Sequence, residues 1–253
     1  LLRIFRYIES GDEKGLYEMV TRGNRGEFSI DFVNEGYILN RISAKIDPEH
    51  ETIDLGYLAT EIRQMDSYEM CVDRLQGLEP AVINDYKELK GYIGKINYRF
   101  AYPEIEKDLK LSGINNRVLL KTLRAVVGTL DPPLKDVSIA KDLKNSFVIR
   151  RGNEEIIIQD GKLLNREALS SGTVEGIDVA AFLASMRSDD NSFYYCDEHF
   201  SYIHSDIEKR IFGIMLYRLG DNEQLIFTTH NMDMLDLNLP KHSYGFLRRE
   251  RDD

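Results

Sequence analysis

The stretch that most constrains this chain is Phe193-Tyr194-Tyr195-Cys196, a short apolar run that ends abruptly in Asp197 and Glu198. Short runs that are apolar on both faces are typical of central parallel strands. In open α/β sheets, ligands bind beyond the carboxyl ends of such strands, which puts these two carboxylates at the mouth of a site. Phosphoryl transfer needs a carboxylate to help hold Mg²⁺ and a group to orient the attacking water. Adjacent acids can supply both, Asp197 for the metal and Glu198 for the water. The bland reading is an acidic pair that starts a solvated loop, and for such a pair taken alone that is the commoner outcome.

A second buried-strand pattern, Leu225-Ile226-Phe227, leads into the polar cluster Thr228, Thr229, His230 and Asn231. A histidine at a strand end can donate a hydrogen bond to a γ-phosphate. A surface or helix-capping histidine is the alternative. Between the two strands, Ser205-Asp206-Ile207-Glu208 has the form of a capping box. It opens a helix with apolar residues at Ile207, Ile211, Ile214, Met215 and Leu219, closed by Gly220. Strand, helix and strand in this order predict two parallel strands with a right-handed crossover.

Upstream, Leu169-Ser170-Ser171-Gly172-Thr173 precedes a helix expected over about 174–186. Small residues at a helix start expose backbone N–H groups and the positive end of the dipole, which suits a phosphate. An ordinary Ser/Gly N-cap is the plainer explanation of the same residues.

Taken together, in this order, the three motifs resemble those of the ABC-type "AAA" ATPases. These include the ATPase parts of OLD-type (overcoming lysogenization defect) proteins and relatives of the SMC and RecF heads. The resemblance matches Ser170 to the serine of the signature motif, Ser171 and Gly172 to its two glycines, and Thr173 to its glutamine. Two of these four depart from the commonest form, and Ser-Ser-Gly-Thr is a variant familiar in the OLD-like branch. It makes Asp197 and Glu198 the Walker B pair and His230 the switch histidine. Ser201 to His204 falls at the D-loop, with His204 matching a histidine often found there. The motifs cover roughly the last third of the chain.

A Walker A loop, Gly-x-x-x-x-Gly-Lys-Ser/Thr, is not found in the sequence. Gly91-Tyr92-Ile93-Gly94-Lys95 has the wrong spacing and is followed by Ile96. In the family Walker A opens a helix, and the amphipathic stretch from Leu1 to Ile8 resembles that helix without its loop. The resemblance therefore implies a Walker A segment upstream of Leu1, or a chain that has lost it.

Between these motifs, Phe28, Ile30 and Phe32 alternate as in a strand, Asn34-Glu35-Gly36 signals a turn, and Tyr37 to Ile46 returns as a second strand. From Asp54 to about Thr129 the period reads as mainly helical. Its stripes are Leu58, Ile62, Met65, Tyr68 and Leu75, then Val82, Tyr86, Leu89 and Ile93, then Val118, Leu119, Leu123, Val126 and Val127. Asp131-Pro132-Pro133 ends the last helix. Short strands follow at Val137–Ala140, Ser146–Arg150 and Glu154–Ile158, with Gly152-Asn153 as a hairpin turn. The tail keeps one strand-like patch, Ser243 to Leu247. The expected architecture is an α/β, ABC-ATPase-like head with a mainly parallel sheet, an antiparallel β-subdomain and a helical insert. Its parts are residues 1–53 (the helix that would follow Walker A, and a hairpin), 54–129 (the insert) and 130–253 (signature, Walker B, D-loop and H-loop). The insert is core packing or a partner-docking surface.

At 253 residues and 42% hydrophobic, the chain can bury a large core. Its net charge of −10 argues against broad nonspecific nucleic-acid binding, while leaving room for a local basic patch. Two cysteines, Cys71 and Cys196, suggest neither a disulfide framework nor a metal site. No apolar stretch is long enough to span a bilayer, and no signal peptide is seen, so the expected location is cytoplasmic.

The resemblance implies ATP and Mg²⁺ bound between two heads of a homodimer. Each head supplies Asp197, Glu198 and His230 to its own nucleotide and Ser170 to Gly172 to its partner's. It also implies a switch closed by ATP and released by hydrolysis, as in the ATPases of bacterial anti-phage defence systems that control a separate effector, a nuclease or toxin. Two other classes stay open: a DNA-repair or chromosome-maintenance head, and a nonhydrolysing scaffold without a P-loop.

Overall fold

The structure is a computed structural model and describes all residues except 1, 22, 35, 94–96, 102–108, 110, 112, 135, 141–142, 144–145, 187–191, 201 and 248–253. The chain divides into two compact units, Leu1–Ile96 and Asn97–Asp253.

The first unit begins with α1 (Leu2–Ser10) and the short α2 (Glu13–Tyr17). It continues with β1 (Gly26–Asn34), β2 (Ile38–Asp47), β3 (Thr52–Glu61), α3 (Tyr68–Gln76), β4 (Ala81–Ile83) and α4 (Tyr86–Ile93). The four strands form one sheet in chain order, every pair antiparallel. Along β2, Asn40, Ile42, Ala44 and Ile46 are buried, the period-2 face of a strand. The buried Asn40 amide is satisfied: it donates to the carbonyls of Phe32 and Ile38 and accepts from the Tyr57 hydroxyl. Helix α1 is tied to α4 by the Tyr86 hydroxyl, which donates to the Ile8 carbonyl, and by the Lys90 ammonium, which donates to that of Glu9.

The expected hairpin over 28–46 is present, and the helical expectation from Asp54 onward is corrected. Residues 52–61 are a strand, because Ile53, Leu55 and Tyr57 alternate. The four-residue spacing of Leu58 and Ile62 coincides with a helical period without being one. Gly56 sits against β2, where an added Cβ would lie 2.8 Å from Ser43 Oγ. Val82, assigned to a helical stripe, lies in β4. The compact helical insert over 54–129 is thus two strands and two helices of the first unit, followed by one strand and one helix of the second.

The second unit starts with β5 (Asn97–Ala101), α5 (Asn116–Leu130), β6 (Asp136–Ile139), β7 (Ser146–Arg151), β8 (Glu154–Gln159) and β9 (Lys162–Leu164). It ends with α6 (Ser171–Ser185), β10 (Ser192–Asp197), α7 (Ser205–Arg218) and β11 (Gln224–Thr228). Strands β6 to β9 form an antiparallel meander, turned between β7 and β8 by Gly152 at φ +58°. Strand β10 lies between β11 and β5 and is parallel to both. The expected parallel sheet is therefore present but small. Among the described residues two of the three sheets are wholly antiparallel and carry most of the strands, so the α/β fold shows no mainly parallel sheet there.

Helix α6 is apolar around nearly its whole circumference and is buried accordingly, with Ile177, Val179, Ala180 and Leu183 almost fully enclosed. Helix α5 packs against it closely at Gly176, where an added Cβ would come 2.1 Å from Leu130 Cδ1. Tyr194 and Cys196 of β10 are fully buried in this core, and the Phe182 and Tyr194 rings meet edge to face. Helix α7 buries Ile211, Phe212 and Met215, whereas Ile214, expected on the apolar stripe, is 43% exposed. From Tyr244 to Leu247, where a strand-like patch is expected, the chain is not a strand. Tyr244 instead turns its hydroxyl to donate to the Leu237 carbonyl at 2.6 Å.

Candidate phosphoryl-transfer site

Because β10 and β11 run parallel with Asp197 opposite Thr228, the polar residues after both strands emerge side by side. Asp197 closes β10, and its carboxylate is aimed by two hydroxyls. Oδ1 accepts from Thr228 Oγ1 at 2.7 Å and from the Tyr195 hydroxyl at 2.9 Å. Tyr195 reaches it because residues i and i+2 of a strand share a face. O–H···O⁻ bonds are about twice as strong as neutral ones, so the carboxylate orientation is well fixed.

Glu198 has left the strand. Its φ is +46°, a region that residues with a Cβ seldom occupy. Its N–H is held by both the carbonyl and the hydroxyl of Thr228, each at 3.1 Å. Such a backbone at a strand end is the kind of over-determined strain that clusters at working sites. The turn brings Glu198 Oε1 to 2.9 Å from His230 Nε2. Both side chains reach solvent, so this pair contributes little to stability, and its interest is chemical. An open cleft is lined by Glu198, Phe200, Ile203, Ser205, Glu208, Thr229, His230 and Asn231.

The other expected site residues fall elsewhere. Ser170 is the N-cap of α6: its hydroxyl accepts from the Thr173 N–H at 3.1 Å and lies 2.7 Å from the Thr173 hydroxyl. Ser170 and Ser171 are exposed, Thr173 is buried, and none of 170–173 lines the cleft. Gly172 approaches the segment after β10, and an added Cβ there would sit 2.9 Å from the Tyr202 carbonyl oxygen. Three residues on, the buried Glu175 accepts from the Tyr202 N–H at 3.0 Å. The signature-like helix and the segment expected to be the D-loop are thus joined within one chain. Ser201 lies outside the described residues. His204 is exposed and caps α7, its Nδ1 accepting from the Asp206 N–H at 3.3 Å.

The capping-box expectation is corrected here. The helix begins at Ser205 with His204 as its cap, and Glu208 does not reach back to it. Glu208 is buried and takes hydrogen bonds from Thr229 and Asn231. Sequence reasoning also missed the roles of Tyr195 and Thr228. Tyr195 could have been found, since its i+2 relation to Asp197 is local; Thr228 and Glu208 depend on pairing across some 20–30 residues. Cys196 is the small buried hydrophobe expected, its thiol pushed well up by burial, with Asp197, Glu208 and Glu175 adding to the effect.

Among the described residues no cluster of three His, Cys, Asp or Glu side chains could hold a metal ion by itself. A single carboxylate such as Asp197 suits Mg²⁺ when substrate phosphates and water complete the shell. No helix of the described residues is long and apolar enough to cross a membrane.

No protein-family model matches the chain, and no curated protein matches it. Among solved structures, the chain is similar to an SMC head bound to the C-terminal winged-helix domain of ScpA. The TM-score is 0.46 and the identity 15%, covering 84% of this chain and 68% of that one. It is also similar to the SMC head domain from Thermotoga maritima, at TM-score 0.38 and 14% identity, covering 87% and 69%. At these values the likeness carries no argument about fold, family or function, which rest on the geometry above.

Proposed function

We propose that this chain is part of an ABC-type ATPase head in which Asp197, Glu198 and His230 act on Mg·ATP. The observation that carries the reading is the juxtaposition at the ends of β10 and β11. A metal-suited carboxylate is held by two hydroxyls, and a second carboxylate on a strained backbone lies 2.9 Å from an exposed histidine. Asp197 would hold Mg²⁺, which supplies charge neutralisation at the phosphates. Glu198 would accept a proton from, and orient, the attacking water. His230 would hold the Glu198 carboxylate and donate to the γ-phosphate from the same ring.

The exposed Ser170 and Ser171 at the start of a 15-residue helix support a role for that motif toward a second head's nucleotide. The proposed assembly is therefore a head-to-head homodimer closed by ATP. The nucleotide site would in addition need a Walker A loop, a pattern that this sequence does not contain. The Ser-Ser-Gly-Thr form of the motif favours the OLD-like branch and with it control of a separate effector protein in anti-phage defence. Co-purification of an effector with the full-length protein would support that assignment, and tight DNA binding without one would favour a repair or chromosome-maintenance head.

The test of the activity is ATP hydrolysis by the full-length protein with and without Mg²⁺. Hydrolysis should require the metal and fall at least about 100-fold in Asp197→Asn, the scale expected when preorganised charge stabilisation is removed. Equal rates in the native protein and Asp197→Asn would overturn the assignment.

A further inference from the structure

Glu208 lies in the first turns of α7 with its side chain almost fully enclosed, at 3% exposure. A carboxylate in such a place is costly unless its oxygens are taken up. Both are. Oε1 accepts from Thr229 Oγ1 at 2.6 Å, and Oε2 accepts from Asn231 Nδ2 at 2.7 Å. These two donors flank His230 in sequence. The loop they belong to is further closed by the Asn231 N–H, which donates to Thr229 Oγ1 at 2.9 Å. Asn231 Oδ1 in turn accepts from the Asp233 N–H at 3.0 Å.

His230 contributes none of these bonds. Its side chain is 84% exposed and meets Glu198 across the cleft. An exposed pair of this kind does not fix a ring by its own energy. The position of the imidazole therefore depends on the backbone of 229–231, and that backbone is held from beneath by one buried carboxylate on a different element.

We infer that Glu208 is the positioning residue for His230: its two oxygens clamp Thr229 and Asn231 so that the imidazole stands against Glu198. The catalytic consequence rests on the ATPase reading above; the clamp itself does not. Displacing a reacting group by about 1 Å can cost a hundredfold in rate. Loss of the clamp should thus lower kcat and leave KM for ATP nearly untouched.

Glu208→Gln keeps the shape, but with its oxygen on Thr229 it sets an N–H donor against the Asn231 amide donor, and with the amide flipped both contacts fall from charge-assisted to neutral hydrogen bonds. Asn231→Asp in the same chain restores an acceptor there and keeps the oxygen that caps Asp233. The experiment uses the full-length protein in three forms: native, Glu208→Gln, and Glu208→Gln/Asn231→Asp. It measures kcat and KM for ATP together with NMR signals of the histidine rings, His230 being assigned with His230→Ala. The single variant should lose about ten- to a hundredfold in kcat with KM within about threefold, and its His230 signals should move. The double variant should recover most of the rate and return the signals.

Native kcat and unmoved His230 signals in Glu208→Gln would overturn the inference. So would a double variant as impaired as the single, which would mean that Glu208 serves only the fold. If the native protein turns over no ATP, the ATPase reading fails separately, and the ring signals alone decide the clamp.

Discussion

Thr228→Val isolates the hydroxyl that joins the two strand ends. Thr228 Oγ1 donates to Asp197 Oδ1 at 2.7 Å and accepts from the Glu198 N–H at 3.1 Å. Valine has nearly the same shape and suits a strand, so β11 itself is not weakened. The Glu198 N–H keeps the Thr228 carbonyl, and Asp197 keeps the Tyr195 hydroxyl. The loss is therefore one charge-assisted bond, for which about 1.5–3 kcal/mol is typical. Asp197 and Thr228 are both only half-buried, so water replaces part of it and the low end applies, about 1.5 kcal/mol. For a unit of this size that corresponds to a fall of about 3–6 °C in melting temperature. Thermal unfolding followed by circular dichroism measures it, with Thr228→Ser as the control that keeps the hydroxyl. If Thr228→Val melts within a degree of both the native protein and Thr228→Ser, the hydroxyl does not hold Asp197 and the description of the site is wrong.

Gly172→Ala should lower stability by about 1–3 kcal/mol even though alanine favours a helix, because its Cβ meets the Tyr202 carbonyl at 2.9 Å and backbone must shift; a higher melting temperature would refute that contact. Asp31 accepts from Arg41 and Tyr68, and the Arg41 guanidinium foremost holds its carboxyl below the usual range. A depressed carboxyl stabilises the fold above its unfolded value near 3.9 and loses that contribution as pH falls through the folded value. The urea midpoint should accordingly fall as pH drops below about 4, and less steeply in Asp31→Asn. Cys71 and Cys196 are both buried and unpaired, so neither thiol should react with an aromatic disulfide reagent in the native protein, and both should react in denaturant; rapid native labelling of Cys196 would contradict its place in the core.

The parts of this fold that were legible in the sequence are those with local causes. The apolar run before Asp197 and the one before Thr228 mark parallel strands because both faces are buried, and Pro132 and Pro133 end α5 because proline cannot continue it. Strand β3 was obscured by chance, since Leu58 and Ile62 lie four apart while Ile53, Leu55 and Tyr57 alternate more quietly before them. The candidate pair Asp197 and Glu198 was readable, and so was His230. What holds them was not. Thr228 reaches Asp197 through strand register, and Glu208 reaches Thr229 and Asn231 across the fold, although its spacing from Ser205 fits a capping box. Local spacing offered Glu208 a plausible partner, and burial gave it different ones.

The most direct test of the central claim is Glu198→Gln in the full-length protein, with the mass in solution and the rate of hydrolysis measured together in saturating Mg·ATP. The account predicts a rate reduced by at least about 100-fold and a dimer that persists with ATP and disperses when nucleotide is removed. Native turnover in Glu198→Gln, with no change of mass on adding ATP, would contradict it.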